Sequence, residues 1–221
     1  MADLSHLAVI FDLDGTLIDS MPDIHATANR VFAAMGFAAL SLPEVQAHVG
    51  KGLPNLVARL LEHHGQTAAG PLLTATIARF ETEYATAHSL TTPYPGVPQA
   101  LTTLAAAGAA LGLCTNKPLT PAKAILQTLG LAPRFAALLG GDSLATRKPD
   151  PEHLLATARL MGRREVIFVG DSEVDAETAK SANLPFLLFT EGYRKTPVHE
   201  IAHTAAFSDW SSLPRLIENL A

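Results

Sequence analysis

The chain holds one cysteine, one tryptophan and three tyrosines among 221 residues. A lone Cys114 cannot close an internal disulfide, so a disulfide scaffold is excluded and a reducing, cytoplasmic setting is expected. Basic charge is also short. Sixteen Lys and Arg against 21 Asp and Glu leave a formal net charge of -5, with no basic stripe to follow a phosphate backbone, so no nucleic acid partner is expected. No apolar run approaches the roughly 20 residues that span a bilayer, and the opening residues, Asp3 among them, lack the basic start of a secretory leader. A soluble protein without a membrane partner is expected. Apolar residues are plentiful at 48%, enough for a packed core, and the length suits one domain with a large insertion or two small domains.

Apolar runs of strand length recur at 7–11, 109–115, 137–139, 166–169 and 186–189, separated by helical patterns. That alternation predicts an α/β fold, a Rossmann-like parallel sheet core with helices on both faces. Gly108, Gly130 and Gly162 fall where helices should end, and Pro98, Pro121 and Pro151 near where they should start. Residues 19–91 break the alternation and show helical spacing only. Leu53, Leu56, Val57, Leu60 and Leu61 make one stripe, and Leu73, Ile77, Phe80 and Tyr84 another. The predicted organisation is a core of residues 1–18 and 92–221 with an inserted all-helical cap domain over 19–91. Hinges are expected near Asp19-Ser20 and Pro93-Tyr94-Pro95-Gly96.

The first strand run breaks into Asp12-Leu13-Asp14-Gly15-Thr16. Residues i and i+2 share a strand face, so both carboxylates can converge as the chain leaves the sheet. They would repel without a cation, and hard oxygen donors favour Mg2+ over zinc. A helix-loop-helix calcium site is excluded by the preceding strand and by Gly15, which is fourth from Asp12 instead of sixth. Ligands of open parallel sheets bind beyond the carboxyl ends of the strands. The polar residues at the other ends are Thr115 and Asn116, Lys148 ahead of Pro149, and Asp171 with Ser172.

In this order the motifs resemble those of the haloacid dehalogenase superfamily, matching as Asp12-Leu13-Asp14-Gly15-Thr16, Thr115-Asn116, Lys148-Pro149 and Gly170-Asp171-Ser172 through Asp175. The likeness covers essentially the whole chain, and the helical insertion fits the subgroup with an α-helical cap after the first strand. It implies Asp12 as a nucleophile that becomes an aspartyl-phosphate and Asp14 as acid and then base. It also implies Mg2+ held by Asp12, the Asp14 carbonyl and Asp171, with Thr115, Asn116 and Lys148 binding the phosphoryl group. Asp175, expected one helical turn beyond Asp171 and sharing its face, and Ser172 would support the metal from behind. Val174 and Asn183 stand where the superfamily often has Asn and Gly, and neither removes a chemical group. Asp14 points away from dehalogenation, which has no alkoxide to protonate, and leaves phosphatase or a β-phosphoglucomutase-like mutase, with hydrolysis preferred.

In the cap, Val49-Gly50-Lys51-Gly52-Leu53 puts Lys51 between two glycines at a helix start, suited to a small acidic group or else to a flexible hinge with a solvated lysine. This segment and Thr190-Glu191-Gly192-Tyr193-Arg194 resemble loops of the superfamily's phosphoglycolate phosphatases, which implies phosphoglycolate as the first substrate, ahead of other small phosphate monoesters. The partner is then a small phosphorylated metabolite, with monomer and homodimer both open. Two rivals of other classes remain. His199-Glu200-Ile201-Ala202-His203 formally matches a zinc-protease pattern, but Pro197 before it and a short strand expected at 204–207 argue for a surface turn. A non-catalytic phosphate-binding module would need no acid-base group, which Asp14 supplies. His63-His64 is expected to close a cap helix facing solvent.

Overall fold

In the computed structural model, which describes residues 2–87 and 89–220, the first apolar run becomes strand β1 (Leu7–Phe11). A two-residue strand β2 (Ile18–Asp19) precedes four helices, α1 (Met21–Ala33), α2 (Leu42–Gln46), α3 (Leu53–His63) and α4 (Gly70–Tyr84), and a second short strand, β3 (Thr92–Pro93), pairs with β2. Helices and strands then alternate: α5 (Val97–Ala106), β4 (Ala110–Cys114), α6 (Leu119–Thr128), β5 (Ala137–Leu139), α7 (Pro151–Met161), β6 (Glu165–Gly170), α8 (Glu173–Ala182), β7 (Phe186–Phe189), β8 (Ala205–Phe207) and α9 (Leu213–Glu218). Two compact units result, Met1–Asp19 with Pro93–Ala221, and Ser20–Thr92.

In the first unit six strands form one sheet in the order β5-β4-β1-β6-β7-β8, with parallel pairings throughout, as the Rossmann-like pattern predicts. Parallel neighbours need crossovers, which α5 through α8 supply, so both faces of the sheet are covered. β1 shows the consequence. Leu7, Val9 and Phe11 join an apolar cluster with Leu101, Leu104 and Ile125, while Ile10 joins a second one with Leu154, Phe168 and Leu188. The only tryptophan, Trp210, is buried 6.0 Å from the Phe11 ring and 5.6 Å from that of Phe189. Helix α8 ends at Asn183 with φ 54, a left-handed turn that Asn tolerates nearly as well as Gly.

The helical unit has its own core, built from the two stripes read in the sequence. Leu56, Val57, Leu60 and Leu61 of α3 meet Phe80 and Tyr84 of α4 and Val31 and Phe32 of α1. Buried Asp23, in the first turn of α1, accepts from Thr91 Oγ1 at 2.7 Å and from the Leu90 N–H at 3.0 Å, tying the end of the insertion to its start. His64 does not face solvent as expected. Its ring stacks on Phe32 and Phe37, with centroids at 5.2 and 4.8 Å, because the chain turns inward after α3 and places the imidazole over the aromatic pair. Among the described residues, no helix is long and apolar enough to cross a membrane.

His153 of α7 is fully buried, and its Nε2–H donates to the Gly140 carbonyl at 3.0 Å. Burial, aided by the nearby Lys148 ammonium, pushes its pKa down from 6.5 to about 4. The unfolded chain therefore takes up a proton that the folded one refuses. The stability that neutral His153 contributes is complete above pH 6.5 and disappears towards pH 4, a loss of at most about 3 kcal/mol. Urea midpoints of the wild type and His153→Gln should converge as pH falls from 7 to 4.5, and a constant gap would refute the assignment.

Candidate active site

The strand order brings the sequence motifs together. β1 lies between β4 and β6, so the chain leaving β1 at Asp12 is flanked by Thr115 and Asn116 after β4 and by Asp171 after β6. The Asp12 N–H still donates to Val169 O at 2.9 Å, and the turn beyond it is wound tightly, with the Leu17 and Ile18 N–H groups both on Leu13 O. Gly15 has φ 87, and a Cβ there would lie 2.5 Å from Asp171 Oδ2, so only glycine lets the turn pass this close to the acid.

One ammonium organises the centre. Lys148 Nζ sits 2.9 Å from Asp12 Oδ1 and 2.6 Å from Asp175 Oδ1, with its side chain 2% exposed. Asn116 Nδ2 donates to the Lys148 carbonyl at 3.0 Å, which ties the end of β4 to the lysine's backbone. The Thr115 N–H donates to Leu139 O at 3.1 Å, and its hydroxyl accepts from the Lys117 N–H at 3.3 Å. Asp171 Oδ1 accepts from Thr16 Oγ1 at 2.7 Å and Oδ2 from the Tyr193 N–H at 2.6 Å. Gly192 makes the second contact possible, since a Cβ on it would stand 2.3 Å from the Asp171 Cβ.

Asp175 reaches the cluster by a route the sequence reading did not foresee. Asp171 lies outside α8, not one turn behind Asp175 on the same helix. Ser172 is the N-cap and Asp175 the third helical residue, and they close a capping box in which the Ser172 N–H donates to Asp175 Oδ2 at 3.1 Å and the Asp175 N–H to Ser172 Oγ at 3.4 Å, with Ser172 Oγ also donating to Oδ2 at 2.6 Å. The cap leaves Oδ1 for Lys148.

These groups set the charge of the site. Burial outweighs the Lys148 ammonium and, with Asp175 nearby, holds the Asp12 carboxyl up at about 6. Burial and the neighbouring Asp175 and Asp12 also hold Asp171 well above the carboxylate range. For Lys148, burial opposes the charge, but two flanking carboxylates outweigh it and keep the amine protonated. One carboxylate oxygen each from Asp12, Asp171 and Asp175 lie within 4.8 Å of one another. An all-oxygen donor set of this kind fits a hard divalent cation. Asp12 Oδ1 already meets Lys148 Nζ at 2.9 Å, and both oxygens of Asp175 are engaged by Lys148 and Ser172.

Sequence reasoning missed Lys117. Its Nζ lies 3.1 Å from Asp14 Oδ1 and 3.3 Å from Oδ2, and its adjacency to Thr115-Asn116 at a strand end was the only available signal. The Tyr193 hydroxyl donates to Asp19 Oδ1 at 2.7 Å while its N–H holds Asp171. Lys51 is exposed in the helical unit just before α3, between Gly50 (φ 116) and Gly52 (φ 84). The His199–His203 stretch forms no α-helix. The turn Val198–Glu200 ends in extended Ile201, and His203 Nδ1–H donates to the Ile201 carbonyl at 2.6 Å, so that nitrogen is no metal ligand.

Comparison with known proteins follows the same lines. The family model for haloacid dehalogenase-like hydrolases matches residues 6–183. A phosphoglycolate phosphatase of Rhodobacter capsulatus is 46% identical over 211 residues, covering 96% of this chain and 96% of that protein. Another, from Rhodospirillum rubrum, is 41% identical over 213 residues, covering 93% and 88%. The crystal structure of a predicted phosphoglycolate phosphatase from Haemophilus somnus 129pt superposes with a TM-score of 0.90 at 27% identity, covering 98% of this chain and 99% of that one. The matched span runs from the start of β1 to the end of α8 and so takes in every member of the carboxylate cluster; the chain belongs to the haloacid dehalogenase-like hydrolases and is an enzyme of that family.

Proposed function

We propose that this enzyme is a magnesium-dependent phosphomonoesterase that hydrolyses 2-phosphoglycolate to glycolate and phosphate through an aspartyl-phosphate on Asp12. The observation that carries the chemistry is the pairing of two acids at one strand end with two different lysines, Asp12 with Lys148 and Asp14 with Lys117. One acid is thereby set up to attack and the other to move protons. Asp12 bonds to phosphorus as the ester P–O bond breaks, and Asp14 gives its proton to the departing alkoxide. Asp14 then takes a proton from the water that attacks the acyl-phosphate, which releases phosphate and restores Asp12. Thr115, Asn116 and Lys148 offset charge on the transferring oxygens, and Asp175 with Ser172 holds the lysine in place. Magnesium held by Asp12, the Asp14 carbonyl and Asp171 would neutralise carboxylate charge and polarise the phosphoryl group.

The substrate rests on the 46% identity to the Rhodobacter capsulatus phosphoglycolate phosphatase. We assign the helical unit, Ser20–Thr92, as the cap and Lys51 as the cation that meets the substrate's carboxylate, by charge and by its place at a helix start. A cytoplasmic setting accords with Cys114, which is buried as a free thiol.

Phosphate release from phosphoglycolate is the test, with magnesium and with chelator, beside sugar phosphates and nucleoside monophosphates. Release should be fastest with phosphoglycolate and fall at least about 100-fold on chelation. Faster release from another ester would overturn the substrate, and release insensitive to chelator would overturn the metal.

A further inference from the structure

Lys117 follows the Thr115-Asn116 pair, yet its ammonium does not run out to solvent. It turns to the exit of β1 and bridges both oxygens of Asp14, at 3.1 and 3.3 Å. The lysine side chain is 4% exposed and that of Asp14 18%, so the buried partner is the cation. A buried ammonium left without a carboxylate is strongly unfavourable, and contact with both oxygens fixes the tilt of the carboxyl plane as well as its position. Lys148 serves Asp12 and Asp175, so the two acids of the turn are held by separate cations. Phosphate binding alone does not require this division, because a lysine committed to the phosphate would have no need to span the oxygens of Asp14.

We infer that Lys117 is a positioning residue for proton transfer, which aims the Asp14 carboxyl at the leaving-group oxygen and faces the charge that appears there; the assignment rests on the hydrolysis proposed above. As Asp12 Oδ bonds to phosphorus, the electrons of the breaking P–O bond pass to the ester oxygen. The Asp14 proton follows them, and the new carboxylate is left opposite the Lys117 ammonium. Without that ammonium the carboxyl can swing away and its charge is uncompensated. Only leaving groups that need a proton should notice.

Nitrophenolate departs unprotonated, whereas the alkoxide of an alkyl monoester does not. Lys117→Met, Lys117→Gln and Lys117→Arg would be loaded with magnesium and followed through the first turnover on p-nitrophenyl phosphate and on phosphoglycolate, with circular dichroism to confirm folding. On phosphoglycolate the rate constant of Lys117→Met should fall about 100-fold, with KM changed less than about threefold. Nitrophenolate release in the first turnover should fall less than about threefold, and Lys117→Arg should recover part of the loss. Equal losses on both esters would overturn the inference. So would a raised KM with an unchanged rate constant, which would make Lys117 a phosphate ligand. Lys117→Gln supplies the comparison if the methionine variant does not fold. Asp14→Asn is run alongside, and if it fails to discriminate between leaving groups, the acid assignment of Asp14 is what falls, and the role of Lys117 with it.

Discussion

Replacing Asp12 with Asn should abolish phosphate release, by at least about 10^4-fold, because an amide oxygen cannot form the acyl-phosphate. The same change should leave the metal-free fold no less stable at pH 7. The folded Asp12 carboxyl titrates at about 6 against 3.8 in the unfolded chain. A raised acid contributes stability that is complete below pH 3.8 and lost as pH rises through about 6, so at neutral pH the ionised carboxyl costs up to about 3 kcal/mol. Asn removes this cost, and Lys148 keeps Asp175 as its partner at 2.6 Å. In chelator, urea midpoints for Asp12→Asn and the wild type should coincide near pH 4 and separate in the variant's favour by pH 7. Residual turnover within tenfold of wild type would remove Asp12 as nucleophile. A variant less stable at pH 7 would mean that the ion pair with Lys148 outweighs the burial of the carboxyl.

Lys148→Met should be damaging on both counts. Methionine fills similar volume but leaves Asp12 and Asp175 in a buried site without the cation that lies 2.9 and 2.6 Å from them. Removing one member of a buried ionic cluster costs about 3–5 kcal/mol. Turnover should fall about 10^3-fold, since the proposed phosphoryl contact that carries a full positive side-chain charge is lost. The stability deficit has a pH signature, because the stranded carboxyls relieve each other by taking up protons. The gap between variant and wild type should narrow from pH 7 to pH 5 in chelator. A gap that stays constant would assign the loss to packing around the lysine stem instead of to charge.

Strands such as β1 and β7 were legible because each is an uninterrupted, fully buried apolar run, a pattern that depends only on neighbours in sequence. Runs at 137–139 and 186–189 coincide with β5 and β7. The acids were legible for the same local reason, as polar residues at the ends of apolar strands. What could not be read was how distant residues divide the charges. Lys117 and Asp14 are 103 positions apart, and no periodicity links them. Asp175 was placed on the wrong geometric footing because a Ser-x-x-Asp cap can look like a continuous helix in sequence, although Ser172 interrupts it. His64 was misread because stacking on Phe32 and Phe37 follows from the tertiary path of the chain after α3.

The helical unit starts and finishes at β2 and β3, two strands of two residues that pair with each other. Its ends therefore leave and rejoin the sheet unit side by side, while the sheet unit keeps apolar clusters of its own. That makes the insertion a cassette. A replacement must satisfy two neighbouring junctions, and the entropy of closing an inserted loop grows only slowly with its length. Swapping or resizing this cassette would leave the acids at the strand ends in the other unit, a division of labour that lets one part of the chain change length while the other keeps its sheet.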